Sequence, residues 1–223
     1  MSTNTSETSN QNHTAATPEE LGIGMRLSIH PLCEDFAGVI LGALHDAHVG
    51  GLEEGLVVET DEVSTYVGAR TIPAETRLLI YAAGTIVAAH QRSGGGHVVA
   101  HVLLSRGCPG EVCCNLGAVA LPPAYPIRVP RAGLEAVAQW SLYPLIDSDS
   151  GHGSHMAHIE SAVADARGRG NAAEPAHYAT KLTGDLADVL ATAGDAWLRV
   201  GTNIPHVVSH LTVSVPAQPE NWP

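Results

Sequence analysis

The chain has 223 residues, 44% of them hydrophobic, enough to bury a core in one domain or in two small ones. Its formal charge is −12, from 23 acidic and 11 basic residues, which argues against electrostatic binding to nucleic acid or an anionic membrane and suits a cationic or neutral small ligand. With one Phe, three Trp and five Tyr, the core must be built mainly from Val, Leu, Ile and Ala.

Met1 to Gly24 is rich in Ser, Thr, Asn and Glu, with no basic start and no apolar run. It reads as a disordered tail, not a signal peptide, and no later window has the roughly 18 apolar residues of a membrane span. The expected location is therefore the cytoplasm, where Cys33, Cys108, Cys113 and Cys114 stay reduced. Adjacent Cys113 and Cys114 cannot easily both ligate one ion, and no Cys-x-x-Cys pair accompanies them.

Met25 to Leu32 alternates polar and apolar, as a half-buried strand does. Asp35 can cap a following helix with Phe36, Val39, Ile40 and Leu44 at helical spacing. Glu53–Thr60 and Ser64–Ile72 are β-rich runs around the turn Asp61-Glu62. Pro73 opens a second helix that ends before Ser93, and His97–Ser105 is the closing strand. The order β-α-β-β-α-β defines a ferredoxin-like unit over residues 25–110. Glu111 to Gly133, with four prolines, reads as a linker, and the second unit covers 137–216. Its elements are a strand at Val137–Leu145, a helix at Ser154–Arg167 and a short β region around Tyr178–Thr183. A helix near Asp185–Val200 and a strand at His206–Val215 follow, and 217–223 ends as coil.

The second unit repeats the first. Arg26-Leu-Ser-Ile-His-Pro-Leu32 returns as Gln139-Trp-Ser-Leu-Tyr-Pro-Leu145, 113 residues on (139 − 26). His97-Val-Val-Ala-His-Val-Leu-Leu-Ser105 returns as His206-Val-Val-Ser-His-Leu-Thr-Val-Ser214, 109 residues on (206 − 97). The fold class is thus α+β, two tandem ferredoxin-like repeats with antiparallel sheets. In this topology the first and last strands of each repeat are neighbours. Strand alternation then places Ser28 and His30 beside His97 and His101, and Ser141 and Tyr143 beside His206 and His210, on the face the helices leave bare.

Three uses of that face are open. It can pack against another sheet, within the chain or between subunits. It can bind metal, although His97/His101 and His206/His210 are each roughly 13 Å apart along a strand, too far to chelate one ion. Or it can hold a flat, polar heteroaromatic ligand.

The phrases Ser28-Ile-His-Pro-Leu32, Thr60-Asp-Glu-Val-Ser-Thr65 and Gly107-Cys-Pro-Gly110 resemble the first repeat of YkoF-like proteins. Trp140-Ser-Leu-Tyr-Pro-Leu145, Tyr178-Ala-Thr-Lys-Leu-Thr-Gly-Asp185 and His206–Ser214 resemble the second. The resemblance runs from Met25 to Pro216. It implies tandem ferredoxin-like, ACT-like repeats in a homodimer, and a non-catalytic binder of thiamine or its hydroxymethylpyrimidine part, with one site per repeat and a link to uptake or salvage. No cofactor is expected, and charge, hydropathy and ligand spacing already argue against nucleic acid, membrane insertion and metal.

The ligand-binding candidates are Ser28, His30, Thr60, Asp61, Ser64, Thr65 and His101 in the first repeat, and Ser141, Tyr143, Tyr178, Thr180, Thr183 and His210 in the second. Rings can stack on a pyrimidine and hydroxyls can bond its edge. His30 stands where the second repeat has Tyr143, so the sites are not equivalent. Two alternatives stay open. One is an enzyme acting on a related heteroaromatic with His and Asp61 or Glu59 as acid and base. The other is an interaction module whose polar face is a dimer interface.

Overall fold

The computed structural model describes residues 16–112, 124–146, 154–169 and 173–217. In chain order these form β1 (Gly24–Pro31), α1 (Phe36–Val49), β2 (Leu56–Thr60), β3 (Thr65–Ala69), α2 (Ala74–Arg92) and β4 (Val98–Arg106). The second repeat comprises β5 (Glu135–Leu145), α3 (His155–Gly168), β6 (Glu174–Ala176), β7 (Ala179–Asp185), α4 (Leu186–Val200) and β8 (His206–Val215). Both repeats are β-α-β-β-α-β. Their strands form one antiparallel sheet in the order β2-β3-β1-β4-β8-β5-β7-β6.

The two half-sheets join where β4 pairs with β8, and Val102 stands opposite Leu211. These two residues are each other's counterparts in the repeat, 109 apart (211 − 102). An approximate two-fold axis therefore passes between them. On either side His101 faces Thr212 and Leu103 faces His210, the same pair reversed.

Alternation sorts the side chains as the strand pattern demands. Met25, Leu27 and Ile29, with Ala100, Val102 and Leu104, are buried on the helix side, as are Ala138, Trp140, Leu142, Leu211 and Val213. Two buried indoles on this side are answered locally: Trp140 Nε1 donates to Ser209 Oγ at 2.9 Å, and Trp197 Nε1 to Val207 O at 3.0 Å. Asp35, Ser154 and Asp185 cap α1, α3 and α4 by accepting from Gly38, Met156 and Ala187 N–H. Asp185 also accepts from Ala132 and Gly133 N–H, and Asp195 from Ile127 N–H. The expected linker is thus clasped to α4 at both ends of its described part.

The expected tail, 1–24, ends sooner than the composition indicated. Its first 15 residues lie outside the described ones. Beyond them Leu21 N–H donates to Thr17 O, and Leu21 and Ile23 are buried against the core, because two apolar side chains ahead of β1 find the open end of the helix layer. The coil expected at 217–223 lies outside the described residues from 218 on. Cys33 and Cys108 are free thiols, while Cys113 and Cys114 lie outside the described residues. Among the described residues, no helix is long and apolar enough to cross a membrane.

Leu211 has no solvent exposure and stands at the seam. Leu211→Ala should cost about 2–5 kcal/mol. Because the sheet is continuous, urea unfolding followed by tryptophan fluorescence and by circular dichroism should give coincident single transitions at the lower midpoint.

Candidate functional site

β1 is eight residues long, but its pairing with β3 stops at Leu27↔Thr65. From Ser28 to Pro31, no strand among the described residues pairs with that edge. The β2–β3 hairpin diverges there and α1 crosses above. The result is a cavity of about 360 Å³, with Leu27, Ile29 and Pro31 from β1 and Phe36, Ile40 and Leu44 from α1 as apolar walls. Ser28, His30 and the hairpin residues Thr60 to Thr65 complete it.

Asp61 builds the hairpin tip. Its Oδ1 accepts from Val63 N–H at 2.8 Å and Ser64 N–H at 2.9 Å, while its Oδ2 accepts from Arg26 Nη1 at 2.6 Å. Arg26 Nη1 also donates to Ser64 Oγ at 3.2 Å. The backbone donors of Ser64 and Val63, then Arg26, hold the Asp61 carboxyl down at about 2. Such a carboxylate is a fixed acceptor with its lone pairs engaged, not a proton-transfer group near neutral pH. Ser28 Oγ donates to Val63 O at 3.1 Å, stitching the bare strand edge to the tip, and Thr60 and Thr65 share a hydroxyl–hydroxyl bond at 3.0 Å. At the mouth, Phe36 is 57% and Val63 81% exposed, unusual for large apolar groups facing each other across an opening.

The bare face of the sheet carries a different arrangement. Three imidazoles cross adjacent strands: His30 stands edge-on to His101 with centroids 5.5 Å apart, and His101 stacks on His210 at 6.1 Å. Thr212 Oγ1 bonds His101 Nδ1 at 3.2 Å, and His97 Nε2 bonds Ser214 Oγ at 2.8 Å. Partial burial, then the neighbouring His30 and His210, push the His101 pKa below its ordinary value.

The sequence-derived candidates therefore separate into groups. Ser28, Thr60, Asp61, Ser64 and Thr65 line the cavity, His30 borders it while its ring stands against His101 on the bare face, and His101 and His210 lie on that face away from the cavity. The concave space lies at the strand edge beneath α1, and not on that face. Phe36, Ile40, Leu44 and Val63 are lining residues that strand alternation could not indicate. Of the four apolar residues expected on the inner stripe of α1 only Val39 is buried, which leaves Phe36, Ile40 and Leu44 to the cavity.

In the second repeat the corresponding bond is kept, since Ser141 Oγ donates to Tyr178 O at 3.4 Å. Its surroundings differ. Pro175 pairs with Thr180 where Thr60 pairs with Thr65, Trp140 stands in the place of Leu27, and Gln139 in that of Arg26. Without an aspartate in the turn, Tyr178 adopts a left-handed φ of 64° and is fully exposed. Thr180 faces the helix layer opposite Trp140, while Tyr143 and Thr183 face the bare side of the sheet.

Residues 135–220 match a family model described as the YKOF-related family. A curated relative, YkoF of Bacillus subtilis (strain 168), is 27% identical over 198 residues, covering 86% of this chain and 87% of its own length. Its name carries a proposed HMP/thiamine-binding role.

The resemblance to the YkoF-like family stands.

The family model falls on the second repeat, while the similarity to the relative spans both. Glu59, considered above as an acid or base, pairs opposite Tyr66 and is not among the cavity residues. Among the described residues, no group of three or more His, Cys, Asp or Glu could hold a metal ion.

A histidine whose folded pKa is depressed binds fewer protons in the native state than in the unfolded one. The His101 penalty is absent above the unfolded value of about 6.5, sets in as the pH falls through it, and is complete below the folded value. Stability measured by urea midpoint should decline over that window, and His101→Gln should flatten the decline.

Proposed function

We propose that the protein binds hydroxymethylpyrimidine, free or as the ring of thiamine, in the cavity beneath α1, without transforming it. One observation carries this reading: an apolar slot sized for a single ring system, with a strand edge along one side that has no strand partner among the described residues. An aminopyrimidine presents donors and acceptors in its own plane, and a bare strand edge presents the complementary backbone groups. Phe36, Ile40 and Leu44 would cover the ring, and binding would bury the exposed Phe36 and Val63. Glu62 at the tip and the acidic surface suit the cationic thiazolium of whole thiamine. The name of the relative supports the ligand class.

The two sites implied by the resemblance, one per repeat, become unequal in this reading. The first repeat holds the stronger site, because Trp140 and Pro175 replace Leu27 and Thr60 in the second. A role in uptake or salvage, which the resemblance implies, belongs to the same reading.

The bare face is proposed as the interface of a homodimer. Eight strands at about 4.8 Å give a sheet roughly 38 Å wide, enough for the roughly 800 Å² per partner of a standard interface. Leu103, Val137, Tyr143 and Leu145 are exposed on it. Leu103→Glu should convert a dimer into a monomer in sedimentation, and a monomeric wild type would remove this part of the reading.

Calorimetric titration with hydroxymethylpyrimidine and with thiamine tests the ligand. Micromolar binding is expected, with the pyrimidine supplying most of the affinity. Ser28→Ala removes one hydrogen-bonding hydroxyl and should weaken binding by about 0.5–1.5 kcal/mol. Phe36→Ala should weaken it further. Absence of heat and of thermal stabilisation at millimolar ligand would sink the proposal.

A further inference from the structure

The helices of the two repeats align through their buried positions. Val39, Ala43 and Ala47 of α1 correspond to His158, Ala162 and Ala166 of α3, 119 residues on (158 − 39). Leu79, Ile86, Ala89 and His90 of α2 correspond to Leu186, Ala193, Ala196 and Trp197 of α4, 107 residues on (186 − 79). On this alignment an ion pair is duplicated: Arg92 with Asp46, and Arg199 with Asp165.

The two pairs sit differently. Arg92 uses Nε and Nη2 together on the Asp46 carboxylate, at 2.6 and 2.7 Å, and lies across Gly42, where any side chain would overlap the guanidinium. The first repeat thereby fills the space between its helices. The second has Ser161 at the place of Gly42. Arg199 reaches Asp165 through Nη1 alone, at 3.1 Å, and a groove of about 320 Å³ lies open between α3 and α4. Three further lining positions have gained polar side chains: His158 for Val39, Thr202 for Gly95 and Asn203 for Gly96. Random drift on an exposed helix pair would scatter such replacements. Here four of them converge on one groove, around the one charged pair that was kept.

We propose that the α3–α4 groove is a second small-molecule site, distinct from the hairpin cavity, and that it takes a small zwitterion. The guanidinium of Arg199, engaged through one nitrogen, has its remaining N–H groups available to grip a carboxylate. Asp165 accepts an ammonium group, so a ligand carrying both charges matches both members of the pair. A ligand with one charge leaves the other member unmatched. The pair is about half exposed, and exposed ion pairs hold weakly enough to open for a ligand. Ser161 and Asn203 offer both donor and acceptor atoms to the rest of the molecule. The volume fits a molecule of amino-acid size, at the small end of ligand pockets.

The test is a panel of free amino acids at millimolar concentration, with acetate and methylamine as single-charge controls. It is read by thermal shift and by the amide signals of Ser161 and Asn203 in two-dimensional NMR. At least one amino acid should raise Tm and shift both signals saturably, and neither control should. Ser161→Gly restores the geometry of the first repeat and lets Arg199 fold down, so it should abolish the response. Ser161→Leu, which fills the groove with a strong helix former, should do the same if the glycine destabilises α3. Arg199→Gln and Asp165→Asn should each remove binding. A panel without any response, equal shifts from acetate or methylamine, or a response that survives Ser161→Leu would overturn the proposal.

Discussion

The β4–β8 pairing is the constraint on which the rest of the molecule depends. Neither ferredoxin-like half has strands to spare: each ends at its own last strand, and only the mutual pairing of those strands removes two edges at once. The pairing also fixes the approximate two-fold relation, because Val102 stands opposite Leu211 and a slip of one residue would turn an apolar face to solvent. From that register follow the helix layer on one side and the line His30, His101, His210 on the other. The histidine row belongs to neither repeat alone. It is produced by bringing them together.

Duplication then lets the halves diverge under a shared frame. The seam and the cores have to agree between repeats, whereas the hairpin tips and the outer helix pairs are free to differ. The first repeat kept Asp61 and Arg26 to rigidify its tip and left an apolar slot behind it. The second exchanged the tip for Tyr178 in a left-handed conformation, and filled the strand position with Trp140. Divergence runs the other way between the helices, where the first repeat is closed by Arg92 and the second is open. The cavity of the first repeat thus lies at its hairpin and the groove of the second between its helices.

The strands and their faces were legible because period-two alternation over eight to eleven residues admits one solution, and the repeat supplied a second copy as a check. β8 begins and ends where the pattern placed it. The joining of the half-sheets was not legible, since residues 97–105 read as a last strand whether or not another follows beside them. The cavity was half legible for a related reason. Polar hairpin residues announce themselves, but its apolar walls look in sequence like any helix stripe turned to a core. Only the early end of the β1–β3 pairing shows that Phe36, Ile40 and Leu44 border a space. The groove between α3 and α4 was invisible to pattern alone, because it exists through the loss of one glycine and can be seen only when the repeats are laid over one another in three dimensions.

The order of the strands has a consequence for how the chain is made. β4 is complete at Arg106, yet its partner β8 begins only at His206, 100 residues later (206 − 106). At a synthesis rate of about 5–20 residues per second, the first half leaves the ribosome and waits roughly 5–20 s with an apolar-faced strand edge unpaired. Another nascent copy carries the same edge. The half-made protein is therefore most exposed to pairing with the wrong partner along the very strand that later holds the finished molecule together.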